Sequence, residues 1–128
     1  MSRFGRFANL SVWAIAAAAF AASLGSPKTA VGEPTRTFTV VSIEVEGTKF
    51  WIPSTLIVEK GDRVRITLLN KVPSDPNQHG FAIPDYGIAE VVTRGESKTV
   101  EFVADKAGVF PITCHLHPAH IGGQLLVR

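Results

Sequence analysis

Seven or eight short β-rich runs, each closed by a turn signal, fill the chain from Thr37 to Val127, and no amphipathic helix interrupts them. Thr37 to Val45 is rich in β-branched residues, with Phe38, Val40, Ser42 and Glu44 on one face and Val41, Ile43 and Val45 on the other. Arg63 to Leu69 alternates cleanly and sends Val64, Ile66 and Leu68 to one side. Lys98 to Val103 does the same with Val100 and Phe102. A side-chain period of two belongs to strands half buried in a sheet. Leu56 to Val58, Phe81 to Ile83, Ile88 to Thr93, Val109 to Thr113 and Gln124 to Val127 add shorter runs, and Phe50 to Ile52 is an apolar patch stopped by Pro53. Turn signals at Glu59-Lys60-Gly61-Asp62, Pro84-Asp85-Tyr86-Gly87, Arg94-Gly95-Glu96 and Asp105-Lys106-Ala107-Gly108 separate them. The pattern predicts one all-β fold, a Greek-key β-sandwich of seven or eight strands.

The first 32 residues read differently. Arg3 and Arg6 precede an uncharged, alanine-dominated run from Val12 to Leu24, and small residues follow at Gly25-Ser26 and Ala30-Val31-Gly32. That order is the pattern of a secretory signal peptide and its lead-in, with Ala22, Gly25 and Gly32 as alternative cleavage ends. The run is shorter than the roughly 20 residues of a membrane span, so export with cleavage is expected ahead of an uncleaved anchor. From Glu33 onward the chain carries 10 basic and 11 acidic residues, a net charge of −1. The basic balance of the full sequence therefore comes from the leader, and no basic run speaks for nucleic-acid binding.

The segment Cys114-His115-Leu116-His117-Pro118-Ala119-His120 holds the only cysteine and three of the four histidines; the fourth, His79, follows the turn-rich stretch Asn70 to Gln78. One cysteine excludes an intramolecular disulfide, and an exported protein that keeps a lone thiol needs a reason, which metal ligation supplies. A thiolate with several imidazoles suits copper or zinc. The spacing Cys114-x-x-His117-x-x-His120 offers three donors at intervals of three residues. Pro118 stiffens that loop, and Gly122-Gly123 is expected to let the chain turn back into its last strand. His115 follows the cysteine directly and is expected to face away from the donors, exposed or packed against the site from outside.

From about Thr37 to Val127 the chain resembles the cupredoxins, in Val58-Glu-Lys-Gly-Asp62, in Asn70 leading to His79, and in Asp105-Lys-Ala-Gly-x-Phe110 running into Cys114-x-x-His117. His79-Gly-Phe-Ala-Ile-Pro84 also looks like the copper domain of cytochrome oxidase subunit II, and Ala104 to Pro118 looks most like the nitrosocyanin-like red copper proteins. The resemblance implies a copper-binding domain over residues 33–128 and one copper ion held by His79, Cys114, His117 and His120. Two departures qualify it. Met1 is the only methionine, so the loop lacks the axial thioether of blue copper proteins, and His120 takes its place by spacing. The binuclear oxidase centre needs two cysteines and is excluded. The expected protein is an exported carrier of single electrons between redox partner proteins, with a green or red rather than intensely blue site. A copper chaperone or store, and a catalytic site that binds a small molecule, are the alternatives.

Overall fold

A computed structural model describes residues 34–128. The expected leader, its cleavage ends and the boundary before residue 33 lie outside the described residues. Among the described residues there are nine strands: β1 (Thr35–Val45), β2 (Thr48–Ile52), β3 (Thr55–Val58), β4 (Arg63–Asn70), β5 (Gln78–Ile83), β6 (Ile88–Thr93), β7 (Ser97–Val103), β8 (Gly108–Ile112) and β9 (Gly123–Val127). A 3₁₀ turn, Pro84–Tyr86, joins β5 to β6. Among the described residues no helix is long and apolar enough to cross a membrane.

One layer has the strand order β2-β1-β4-β7. The other is built from β3-β9-β8, to which the β5-β6 pair is joined by an antiparallel bridge between Ala82 and Thr113. β1 runs parallel to β4, and β3 runs parallel to β9. Parallel neighbours cannot be joined by a hairpin, so the chain crosses between the layers, as a Greek-key sandwich requires. The alternation read from sequence is what fills the space between the sheets. Val40, Val64, Ile66, Leu68 and Val100 come from the first layer, and Leu56, Val58, Ile112, Leu125 and Val127 from the second, with Phe81, Ile83 and Val92 between them at one end. Each fully buried side chain of this size contributes about 1.5–3 kcal/mol.

The ninth strand is β2. In the sequence it is only a three-residue apolar patch before Pro53, but it becomes a strand by pairing with β1, from Val41 opposite Ile52 to Val45 opposite Thr48. The hairpin closes through Glu46 and Gly47, both at positive φ (50° and 78°). Positive φ at both central residues is the primed turn whose twist matches paired strands. Glutamate is an uncommon first residue for it, which hid the hairpin from sequence. The second difference concerns β5. It starts at Gln78, because β6 offers partners as far as Thr93, so His79 stands on a strand opposite Val92 and not in the preceding loop.

Candidate metal centre

The site lies where β5 meets the loop after β8. Ala82 and Thr113 exchange two backbone hydrogen bonds of 2.9 Å, which fixes Cys114 beside Gly80. Beyond Cys114 the loop makes two consecutive tight turns. The His117 N–H donates to the Cys114 carbonyl at 3.1 Å, and the His120 N–H donates to the His117 carbonyl at 3.0 Å. Each turn returns the chain to the same side after three residues, so the three-residue spacing puts Cys114, His117 and His120 on one side. Pro118 occupies the second position of the second turn, where its fixed φ is already correct. The loop then ties to β2, through the Ile121 N–H on the Lys49 carbonyl (3.3 Å) and a bridge between Phe50 and Ile121.

Gly122 and Gly123 are needed for a different reason from the one expected. Neither takes a left-handed φ. A Cβ at Gly123 would lie 2.1 Å from the Ser54 carbonyl oxygen, and one at Gly122 would lie 2.6 Å from that of Ile112. The pair lets two backbones approach closely.

All four sequence-predicted donors come together. One donor atom from each of His79, Cys114, His117 and His120 lies within 4.8 Å of the others. Cys114 Sγ and His117 Nδ1 are 3.6 Å apart, and the three imidazole centroids are separated by 4.6, 5.1 and 5.6 Å. A tetrahedral ion with bonds of about 2.0–2.3 Å wants donors about 3.3–3.8 Å apart, so the cluster is close to a closed set. His79 is 1% exposed, and both of its ring nitrogens are buried without a hydrogen-bond partner. An orphaned buried polar atom costs about 1–3 kcal/mol. An ion between the four groups removes that cost, and the donor set fits copper on this ground.

The cysteine side is held from behind. Cys114 is 4% exposed, and its Sγ accepts the Gly80 N–H at 3.2 Å. The Gly80 carbonyl accepts the Trp51 indole N–H at 2.8 Å, and Trp51 meets Phe81 edge-on at 5.5 Å. His115 is exposed, as expected, and its ring lies over Gly80, where an added Cβ would stand 2.6 Å from Nδ1. It is outside the donor cluster. Asn70 organises the approach to His79. Its Nδ2 donates to the carbonyls of Asn77 (3.1 Å) and Val92 (2.9 Å), and its Oδ1 accepts the Val72 N–H (3.0 Å).

Burial depresses the proton affinity of His79 to a pKa of about 4, assisted by the neighbouring His120, His117 and Lys49. The Pro76 carbonyl opposes this weakly, without meeting hydrogen-bond geometry. His120 is lowered for the same reasons: burial first, then His117 and Lys49. Both rings are therefore neutral at pH 7, the form that binds metal. Lys49, and its cross-strand partner Glu44, are the site neighbours that sequence reading missed. The usable signal was the β1–β2 hairpin, which sets them opposite each other.

These shifts carry a sign for the metal-free protein. An unfolded histidine titrates near 6.5, so between pH 6.5 and 4 the unfolded chain binds more protons at position 79 than the native one. Stability is fully present above pH 6.5 and falls as pH is lowered through that window, with His120 acting in the same direction. Urea unfolding at pH 7.0 and pH 5.0 should show a loss of about 1–2 kcal/mol, before the carboxylates contribute. Equal midpoints at the two pH values would contradict the burial of a neutral His79.

A family model described as a cupredoxin-like domain matches residues 13–127. The nitrous-oxide reductase of Cupriavidus necator is 41% identical over 66 residues, 50% of this chain and 10% of the reductase. The chain thus spans about a tenth of the length of that relative. The solution structure of a copper-binding protein in its apo form matches with a TM-score of 0.56 at 26% identity, over 75% of this chain and 90% of that one. Dithionite-reduced auracyanin from Roseiflexus castenholzii matches with a TM-score of 0.59 at 17% identity, over 75% of this chain and 99% of that one, which shows a shared fold. The nine-stranded sandwich, the thiolate and imidazole cluster that suits one copper ion, and the match over residues 13–127 place this chain in the cupredoxin-like family.

Proposed function

We propose that this chain is an exported mononuclear copper protein that carries single electrons between redox partner proteins, with His79, Cys114, His117 and His120 as the ligands. The observation that carries the reading is the convergence of one thiolate and three imidazoles on a rigid sandwich end, two of the four donor residues being buried. Bound copper supplies a one-electron Cu(I)/Cu(II) couple, to which a thiolate and imidazoles are suited in both states. The protein supplies rigidity. β5 fixes His79, the two tight turns fix His117 and His120, and the Gly80 N–H on Sγ fixes the thiolate. Ligands that cannot move on oxidation keep the barrier to electron transfer low. The exposed loop residues His115, Leu116 and Ile121 beside the site offer the face for a redox partner.

One observation favours a second reading, a copper site that binds a small molecule. A cavity of about 400 Å³ is lined by Thr113, Cys114, His115, Pro118, His120 and Gly122. It opens beside two of the donors. The storage reading has less behind it, because Met1 is the only methionine and no thioether cluster is available to hold Cu(I).

Cu(II) loading of the purified protein, followed by visible absorption, tests the assignment. A strong thiolate-to-copper band, bleached by reductant and restored by oxidant, with rapid self-exchange between the two states, is the expected result. No band, with zinc or nothing found on metal analysis, would overturn the copper carrier. A band that shifts on addition of nitric oxide or azide, with slow self-exchange, would move the conclusion to the small-molecule site.

A further inference from the structure

Lys49 and Glu44 face each other across the β1–β2 hairpin. They form an ion pair at 3.9 Å, and their side chains are only 14% and 16% exposed. The pair is built into both halves of the donor set. On one side, the Lys49 carbonyl holds the Ile121 N–H, next to His120. On the other, a Glu44 carboxylate oxygen accepts the Ser74 hydroxyl, in the segment that leads to His79. Arg94 clamps the same segment, donating to the carbonyls of Val72 (2.8 Å) and Ser74 (2.6 Å). The charge balance within the pair is uneven. Ser74 engages one carboxylate oxygen, and the ammonium meets the other only at the edge of ion-pair range. Glu44 therefore offsets Lys49 incompletely, and a largely buried ammonium is screened less by solvent than a surface one. The bridge between Phe50 and Ile121 continues the Lys49–Ile121 contact, so the strand that carries the Lys49 charge is fastened directly to the donor loop.

We propose that the Lys49–Glu44 pair sets the reduction potential of the copper site, with the Lys49 ammonium favouring Cu(I) and Glu44 moderating that effect. This rests on the copper assignment above. The physical reason is elementary: a nearby positive charge destabilises the ion with the higher charge, and a nearby negative charge does the reverse. The two residues are positioning and tuning groups, not ligands. Their opposite signs separate the proposal from a purely structural role, which has no reason to depend on sign.

The test is a redox titration of the copper-loaded protein, followed through its visible band. Lys49→Met should shift the Cu(II)/Cu(I) equilibrium about fivefold toward Cu(II), roughly 40 mV lower at about 59 mV per tenfold. Glu44→Gln should move the potential upward, and Lys49→Arg, which keeps the charge, should stay near the parent value. Competition with chromophoric Cu(I) and Cu(II) chelators supplies a second readout, in which Lys49→Met should gain affinity for both ions, more for Cu(II), and Glu44→Gln should lose affinity for both, again more for Cu(II). Equal potentials in Lys49→Met, Glu44→Gln and the parent, or shifts of both variants in one direction, would overturn the proposal. Slow self-exchange in all variants, with the opposite shifts intact, would instead fail the electron-carrier reading and leave the tuning role standing.

Discussion

Replacing Cys114 by serine should abolish the intense visible absorption of the copper-loaded protein while leaving the fold in place. The band requires a thiolate, and Cys114 is the only sulfur beyond Met1. A hydroxyl is a hard, weakly acidic donor and cannot stand in for a soft thiolate toward Cu(I). Cu(I) affinity should therefore fall by about two orders of magnitude or more, with a much smaller loss for Cu(II), which three imidazoles still serve. The variant is a clean one because serine oxygen can still accept the Gly80 N–H that Sγ accepts at 3.2 Å in the native chain. Cys114→Ala lacks that acceptor. It leaves a buried N–H unpaired beside Trp51 and should cost an additional ~1–3 kcal/mol in urea unfolding. Visible spectra, chelator competition and unfolding midpoints of the two variants separate chemistry from packing. A serine variant that kept a strong charge-transfer band would remove Cys114 from the ligand set.

The parts of this molecule that could be read from sequence are those governed by a local period. Val64, Ile66 and Leu68 declare β4 because alternate residues of a half-buried strand must be apolar, and all three are fully buried. Cys114, His117 and His120 declare a site because a spacing of three matches one tight turn, and two such turns are what the loop makes. What stayed hidden depends on partners remote in sequence. β2 exists because β1 provides a hydrogen-bonding edge, and the turn between them uses Glu46 where asparagine or aspartate would have signalled it. His79 belongs to β5 because β6 extends to Thr93, a fact of pairing length rather than of the residues around His79. Gly122 and Gly123 looked like turn formers, yet their constraint is the approach of the Ile112 and Ser54 carbonyls, which no local pattern reveals. Lys49 carries no local signal in the sequence, because its place depends on the hairpin register that sets it against Glu44 and on the Ile121 contact next to His120.

Replacing His120 by methionine should convert the site toward a blue copper spectrum and raise its reduction potential by at least the equivalent of a tenfold shift toward Cu(I), about 59 mV. His120 closes the donor cluster from the end of the second turn, 4.6 Å from His117 and 5.1 Å from His79 between ring centroids. A fourth strong donor draws the ion away from a trigonal arrangement and favours Cu(II), whereas a thioether is a weak axial donor that favours Cu(I). The backbone needs no change, because the His120 N–H that closes the turn onto the His117 carbonyl is retained in the variant. Methionine is flexible and apolar enough to fill a half-buried place, so unfolding should change by no more than about 1 kcal/mol. The metal-free variant offers an independent check. His120 is the second cause, after burial, of the low pKa of His79, so its loss should raise that pKa and flatten the decline in stability between pH 7.0 and 5.0. Unchanged spectrum and potential in the loaded variant, alongside a raised His79 pKa in the metal-free one, would show that His120 lines the site without binding the ion. A rise in potential with the charge-transfer band moved to longer wavelength, toward that of a blue site, would establish His120 as the residue that makes this site differ from one with an axial methionine.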